Sequence, residues 1–313
     1  MRTSFTLKIL PLGLLVVLLA AAALALGPAR ASRLIVTQIR APRAASALLC
    51  GAALAVSGLL AQCLLSNPLA SPTLLGVNSG AGLLIALCGV WFPAGVALRP
   101  VFAFGGALLA SLLIYALSAR VGSRRGTILL AGVAVSSLLS AGIDALHHVF
   151  PQALPGYQSF LLGGFAQAAW QTLSPAAWLI LAALACALLL GGELDVFALG
   201  DETAQSLGQN VPRVRIAALL LSSILAGAAV SVCGLLSFVG LLAPHIARKL
   251  FPGSNARRLV LVCALLGAAL VALCDLLART LFAPYELPAG ILLSFLGSPF
   301  LLWLLLKRRA GHA

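Results

Sequence analysis

Charge in this sequence is almost confined to the gaps between apolar runs. The runs fall at 10–26, 44–66, 74–91, 101–119, 127–146, 176–190, 216–233, 235–247, 259–277 and 290–306. A helix needs about 20 apolar residues to cross the hydrocarbon core of a bilayer, and lipid leaves no unpaired backbone group satisfied, so each run reads as a helix. Ten such helices use up nearly all of the 313 residues and leave no stretch for a separate soluble domain. The expectation is an all-α, polytopic membrane protein of about ten transmembrane helices forming one domain over 1–313. A charged content of 9% against about 25% in soluble domains excludes a soluble globule. The eighth run spans only about 20 Å at 1.5 Å per residue, so it is expected to continue through the turn at Gly234 or to lean on its neighbours.

The net charge of +13 comes from basic residues scattered in small clusters between runs, which points to membrane topology and away from nucleic acid. With both termini in the cytoplasm, 14 of the 20 basic residues fall inside and 6 outside, the sense of the positive-inside bias. The six outside are Arg30, Arg33, Arg40, Arg43, Arg99 and Arg279. Four of them crowd the first external loop against the bias, as an acidic partner docking there would explain. Arg2 and Lys8 before the first run resemble a signal peptide, but a retained first span keeps the remaining charges on the preferred side.

The longest polar interruption is 193–215, with four of the seven acids, Glu193, Asp195, Asp201 and Glu202. Leu194, Val196, Phe197, Leu199, Ala204 and Leu207 supply an apolar face, Gly200 breaks it, and Gly208 followed by Pro212 stops it. Two short amphipathic helices at 194–208, outside the membrane and on the cytoplasmic side, are the expectation. Asp201 and Glu202 suit the positive end of the second helix, and Leu207 with the Gly208 stop presents an apolar side to a partner.

Other residues narrow the chemistry by what they lack. The seven cysteines lie in or beside apolar runs with no C-x-x-C pair, and read as small packing residues that bind no metal. Asp144, His147 and His148 share a helix face, where an interfacial polar cluster is the simpler reading. Asp144 and Asp275 are the acids within runs, and Asp275 can pair with Arg279 four residues on. So few buried carboxylates speak against an ion-coupled carrier. None of Lys8, Lys249 and Lys307 follows a glycine, so the phosphate-binding loop is absent and any ATP is bound by another chain. No H-E-x-x-H or G-x-S-x-G occurs, and neither an enzymatic activity nor a cofactor is expected.

Several motifs resemble permeases of the iron-siderophore, haem and cobalamin ABC importers, the FecCD type. They are Ile39-Arg40-Ala41-Pro42-Arg43 leading into Gly51, then Asn67-Pro68-Leu69-Ala70-Ser71-Pro72 with Leu75-Gly76-Val77-Asn78, and Leu199-Gly200-Asp201-Glu202 through Leu207-Gly208. Ser237-Phe238-Val239-Gly240-Leu241 with Pro244-His245-Ile246-Ala247-Arg248, Asp275 through Arg279, Glu286-Leu287-Pro288 and Gly297-Ser298-Pro299-Phe300 continue the match in order. Ala41 stands where the family usually has Leu, and the arginine spacing is kept.

The resemblance implies the type II importer permease fold, in a bacterial inner membrane. Two permease subunits, here a homodimer, would form the pathway, with cytoplasmic ATPase subunits and a periplasmic substrate-binding protein as partners. Arg40, Arg43 and Arg279 would dock the binding protein. Asp201, Glu202, Leu207 and Gly208 would couple to the ATPase, and Asn67 and Leu69 would help close the cytoplasmic end. A ferric siderophore or other iron complex is the implied substrate, with haem or cobalamin the alternative.

Overall fold

The computed structural model describes residues 2–27, 32–93, 95–122, 125–151, 154–281, 283 and 285–310. Arg30 and Arg124, counted above for orientation, lie outside the described residues. Within them the chain is helical throughout: α1 Arg2–Ala25, α2 Arg33–Leu65, α3 Val77–Trp91, α4 Arg99–Arg120, α5 Arg125–Val149 and α6 Leu154–Leu162. Then follow α7 Trp170–Phe197, α8 Asp201–Ser206, α9 Val211–Cys233, α10 Val239–Leu250, α11 Ala256–Thr280 and α12 Ala289–Ala310. Each of the ten apolar runs carries a helix, the eighth only from Val239 onward. Among the described residues 7 helices are long and apolar enough to cross a membrane, and α3 and the 289–303 part of α12 are shorter apolar helices.

The long central helix α2 has 83% of its most apolar window buried, whereas the corresponding window of α1, at the rim, is 6% buried. Composition makes this possible. Glycines let α2 meet its neighbours backbone to backbone: a Cβ on Gly51 would overlap the Gly267 carbonyl of α11, and one on Gly58 would overlap Gly240 of α10. Gly80 of α3 and Gly106 of α4 meet in the same way. Buried hydroxyls add cross-links, as where Ser57 donates to the Ser222 carbonyl of α9 at 2.6 Å and Ser222 donates back to the Ser57 carbonyl at 2.9 Å.

Two expectations need correction. The eighth run does not start at Leu235, because the chain breaks over 234–238 and α10 begins at Val239. Gly234 adopts φ +68, and Phe238 holds the left-handed φ +67 that a side chain disfavours. The other is α6, a nine-residue helix for which no apolar run prepared.

These two irregularities satisfy each other. Leu235 N–H donates to the Phe160 carbonyl at 2.9 Å, Gly164 N–H to the Cys233 carbonyl at 2.8 Å, and Gly290 N–H to the Gly163 carbonyl at 3.2 Å. The end of α6, the break after α9 and the start of α12 thereby share backbone groups that lipid would leave unpaired. Glycine is required at the junction, since a Cβ on Gly163 would strike the Leu235 carbonyl and one on Gly290 the Leu162 carbonyl.

Candidate functional site

The polar interruption folds as a compact knob, built differently from the sequence expectation. Its first helix is not separate, because α7 runs unbroken to Phe197, about 42 Å at 1.5 Å per residue. Only α8 is short. Gly200 (φ +106) turns the chain into it and Gly208 (φ +81) turns it out; a Cβ at either meets open space, so the backbone angle, not room, selects glycine.

Beneath α8 a small core of Phe197, Ala204, Val211 and Val214 closes. Asp201, expected to support the helix start, also takes a 2.6 Å ion pair from Arg215 of α9, whose guanidinium lies 6.0 Å from the centre of the Phe197 ring. Gln209 donates to the Glu193 carboxylate at 2.7 Å and to the Glu193 carbonyl at 2.8 Å, and the Asp195 carboxylate accepts from Ala256 N–H at 2.7 Å, tying the knob to α11. On this braced base Leu199 and Leu207 stay 60% and 63% exposed, and Glu202 is exposed beside them. The pairings of Arg215 with Asp201 and of Gln209 with Glu193 were not read from the sequence, because a pairing across a turn leaves no periodic trace.

Close by, at the end of α2, Ser66 takes the left-handed φ of 45° and the Asn67 Oδ1 accepts from Leu69 N–H at 2.9 Å, which fixes the turn carrying Asn67 and Leu69. Both are half-buried. Gln62, which the sequence reading did not weigh, and Arg248 lock this turn to α10: Arg248 donates to Gln62 Oε1 at 2.6 Å, and Gln62 Nε2 donates to the Gly240 carbonyl at 3.3 Å.

At the other end, the expectation that Arg40, Arg43 and Arg279 face solvent is not met. They are 4%, 8% and 3% exposed. Arg40 donates to the Leu24 and Ala25 carbonyls at 2.9 and 2.7 Å, capping the C-terminus of α1 where a cation suits the helix dipole. Arg43 grips Asp275 through Nε and Nη2 at 3.0 to 3.1 Å and Glu286 through Nη1 at 2.8 Å. Arg279 lies 4.0 Å from Asp275, as the spacing of four suggested, and donates to the Ala23 carbonyl at 2.5 Å. The cost of burying these charges is offset because each finds a carboxylate or a helix-end carbonyl.

Two hollows share one face of the bundle. One, about 410 Å³, is lined by Thr73, Asn78, Ser136, Ser137 and Ser140 with Tyr157. The other, about 540 Å³, is lined by Ser237, Ser294 and Ser298 with Phe295 and Pro299. Leu161 and Leu235, from the paired breaks, border both. Each of these hydroxyls can donate to or accept from a polar solute. His147, from the Asp144 cluster, stacks edge-on against Tyr157 at 4.6 Å; among the described residues no three metal-ligating side chains converge.

The comparisons with known proteins decide the family. The model of the FecCD transport family matches residues 6–307. The chain belongs to that family. This FecCD permease is 43% identical over 277 residues to the hemin transport system permease protein HmuU of Yersinia pestis, covering 87% of this chain and 83% of that one. It is 39% identical over 278 residues to the Fe(3+) dicitrate transport system permease protein FecC of Escherichia coli, with 88% and 83% covered. A metal-chelate type ABC transporter solved in an inward-facing conformation superposes with a TM-score of 0.85 at 29% identity, covering 96% of this chain and 99% of that one. The FecCD chain is therefore a multi-pass, all-α transport permease.

Proposed function

We propose that this FecCD permease is the membrane subunit of an ATP-driven importer for a ferric siderophore or another iron complex. The chain works as one membrane domain in a bacterial inner membrane, with both termini in the cytoplasm. Two copies face each other across the hydroxyl-lined hollows, which become the wall of the pathway; that explains why Ser237, Ser294 and Ser298 lie beside exposed Phe295 on a face that lipid alone would not reward. Haem is the second reading, favoured by the similarity to a hemin permease.

The observation that carries the proposal is the braced knob. A helix held by one ion pair, a side-chain latch and two left-handed glycines, yet presenting two bare leucines, is built to be pressed by another protein. The partner in this reading is a cytoplasmic ATPase subunit, since the chain has no nucleotide-binding loop of its own. Asn67 and Leu69, fixed by their turn and tied through Gln62 to α10, narrow the pathway at the same end.

A substrate-binding protein docks at the opposite end in this reading. There the buried arginines hold the surface in shape, and exposed Arg33 and Glu286 are the charges it presents. The test is reconstitution of the permease with its ATPase and binding protein, followed by uptake of radioactive iron as a chelate. ATP-dependent uptake is expected. An assembly that hydrolyses ATP in response to binding protein yet moves no iron chelate would refute the iron assignment.

A further inference from the structure

A third cavity, of about 550 Å³, opens at the arginine end and belongs to neither hollow of the pathway face. Its size suits a small ligand. The wall combines the end of α9 and its break, the 163–167 turn after α6, the start of α4 and the 286–289 segment. Phe160, Phe165 and Ile85 give it an apolar floor.

The charge inventory of this cavity does not balance. Its lining includes Arg43, Arg99 and Glu286. Arg43 spends its guanidinium on Asp275 and Glu286, and Arg279 leans on the same Asp275, so two guanidiniums meet two carboxylates. Arg99 is the remainder. It is half-buried, and among the described residues no hydrogen bond or ion pair engages it. The nearby hydroxyls do not invite a cation. Ser231 and Thr172 donate their protons to the Ala228 and Ala169 carbonyls at 2.8 and 3.0 Å, which leaves Arg99 and the amide of exposed Gln167 as donors to an incoming group. A guanidinium fork and an amide together recognise an oxyanion.

We propose that this cavity is a binding site for a carboxylate or phosphate group, with Arg99 as its counter-ion. The same chemistry has two sources: the phosphate of an anionic lipid, or a carboxylate of the imported complex. The second source rests on the importer reading above; the first does not.

The test uses the full permease with its ATPase in nanodiscs. In zwitterionic lipid, iron-free citrate is titrated calorimetrically. With phosphatidylglycerol present, retained lipid is counted by native mass spectrometry. A soluble carboxylate is supported if citrate binds, Arg99→Gln weakens it about ten- to hundredfold as loss of a charge-assisted hydrogen bond should, Arg99→Lys loses less, and the exposed control Arg120→Gln, at the other end of α4, loses nothing. The lipid source is supported if one phosphatidylglycerol is retained in an Arg99-dependent way and blocks citrate. If the thermal midpoint of Arg99→Gln falls, the folded Arg99→Lys protein and competition between the two probes decide. Binding of neither probe, or binding indifferent to both Arg99 variants, overturns the site. Wild-type complex that hydrolyses ATP in response to binding protein yet moves no iron chelate would instead overturn the iron assignment and leave the probe titrations standing.

Discussion

The two ends of this bundle use charge in opposite ways. At the knob, charged groups brace a helix from below and leave leucines bare on top; at the far end, arginines turn inward and are consumed by Asp275, Glu286 and the last carbonyls of α1. The difference separates two tasks that look alike in sequence. A surface for docking needs a stiff backbone and free apolar area, while a clamp across three helices needs buried, fully paired charge. Basic residues in the gaps between spans therefore need not be docking residues. Here they fasten α1, α2 and α11 to the 286–289 segment.

The largest effect should come from cutting the clamp. Asp275→Ala leaves Arg43 and Arg279 without their shared carboxylate and should cost about 3–5 kcal/mol, read as a drop in the thermal midpoint of the purified permease. A change within 1 kcal/mol would demote the cluster to surface decoration. Next is Gly58→Val, whose side chain must displace Gly240 of α10; a loss of about 1–3 kcal/mol is expected, or failure to assemble. If that variant is as stable as the parent, the close α2–α10 contact is not a feature of the working protein.

Gly208→Val sharpens the contrast from the other side. Its Cβ has room but its φ of +81° does not suit a β-branched residue, so about 1–3 kcal/mol of local strain should loosen the knob. ATP hydrolysis should then run without proportionate uptake while binding protein still docks. Smallest is Arg215→Met. The Asp201 side chain is 36% exposed, so losing the pair should cost no more than about 1 kcal/mol and slow uptake only slightly. Abolished uptake would make the pair part of the coupling itself.

How much of this was legible in the sequence follows from the range of the interactions. Apolar runs and their polar gaps are local, so the helices and the position of the knob could be read directly. The role of Arg43 could not. Its partners Asp275 and Glu286 lie 232 and 243 residues away, and nothing in 40–43 distinguishes an arginine that faces water from one that is paired across the bundle. α6 was hidden because nine residues ending in Gly163-Gly164 carry neither the length nor the caps of a span. The break at 234–238 was half visible in Gly234 and invisible in Phe238, which holds a left-handed φ while its ring packs onto Gly297 of α12.

The central claim is that docking at the knob runs through bare apolar surface. It is tested most directly by the Leu199→Glu, Leu207→Glu double variant, pulled down with its ATPase. Both leucines are exposed, so the thermal midpoint of the permease should stay where it is while ATPase recovery falls at least tenfold, since about 1.4 kcal/mol is worth a factor of ten and two buried anchors exceed that. Undiminished recovery of ATPase on a folded double variant would contradict the account and return the knob to a loop between two helices.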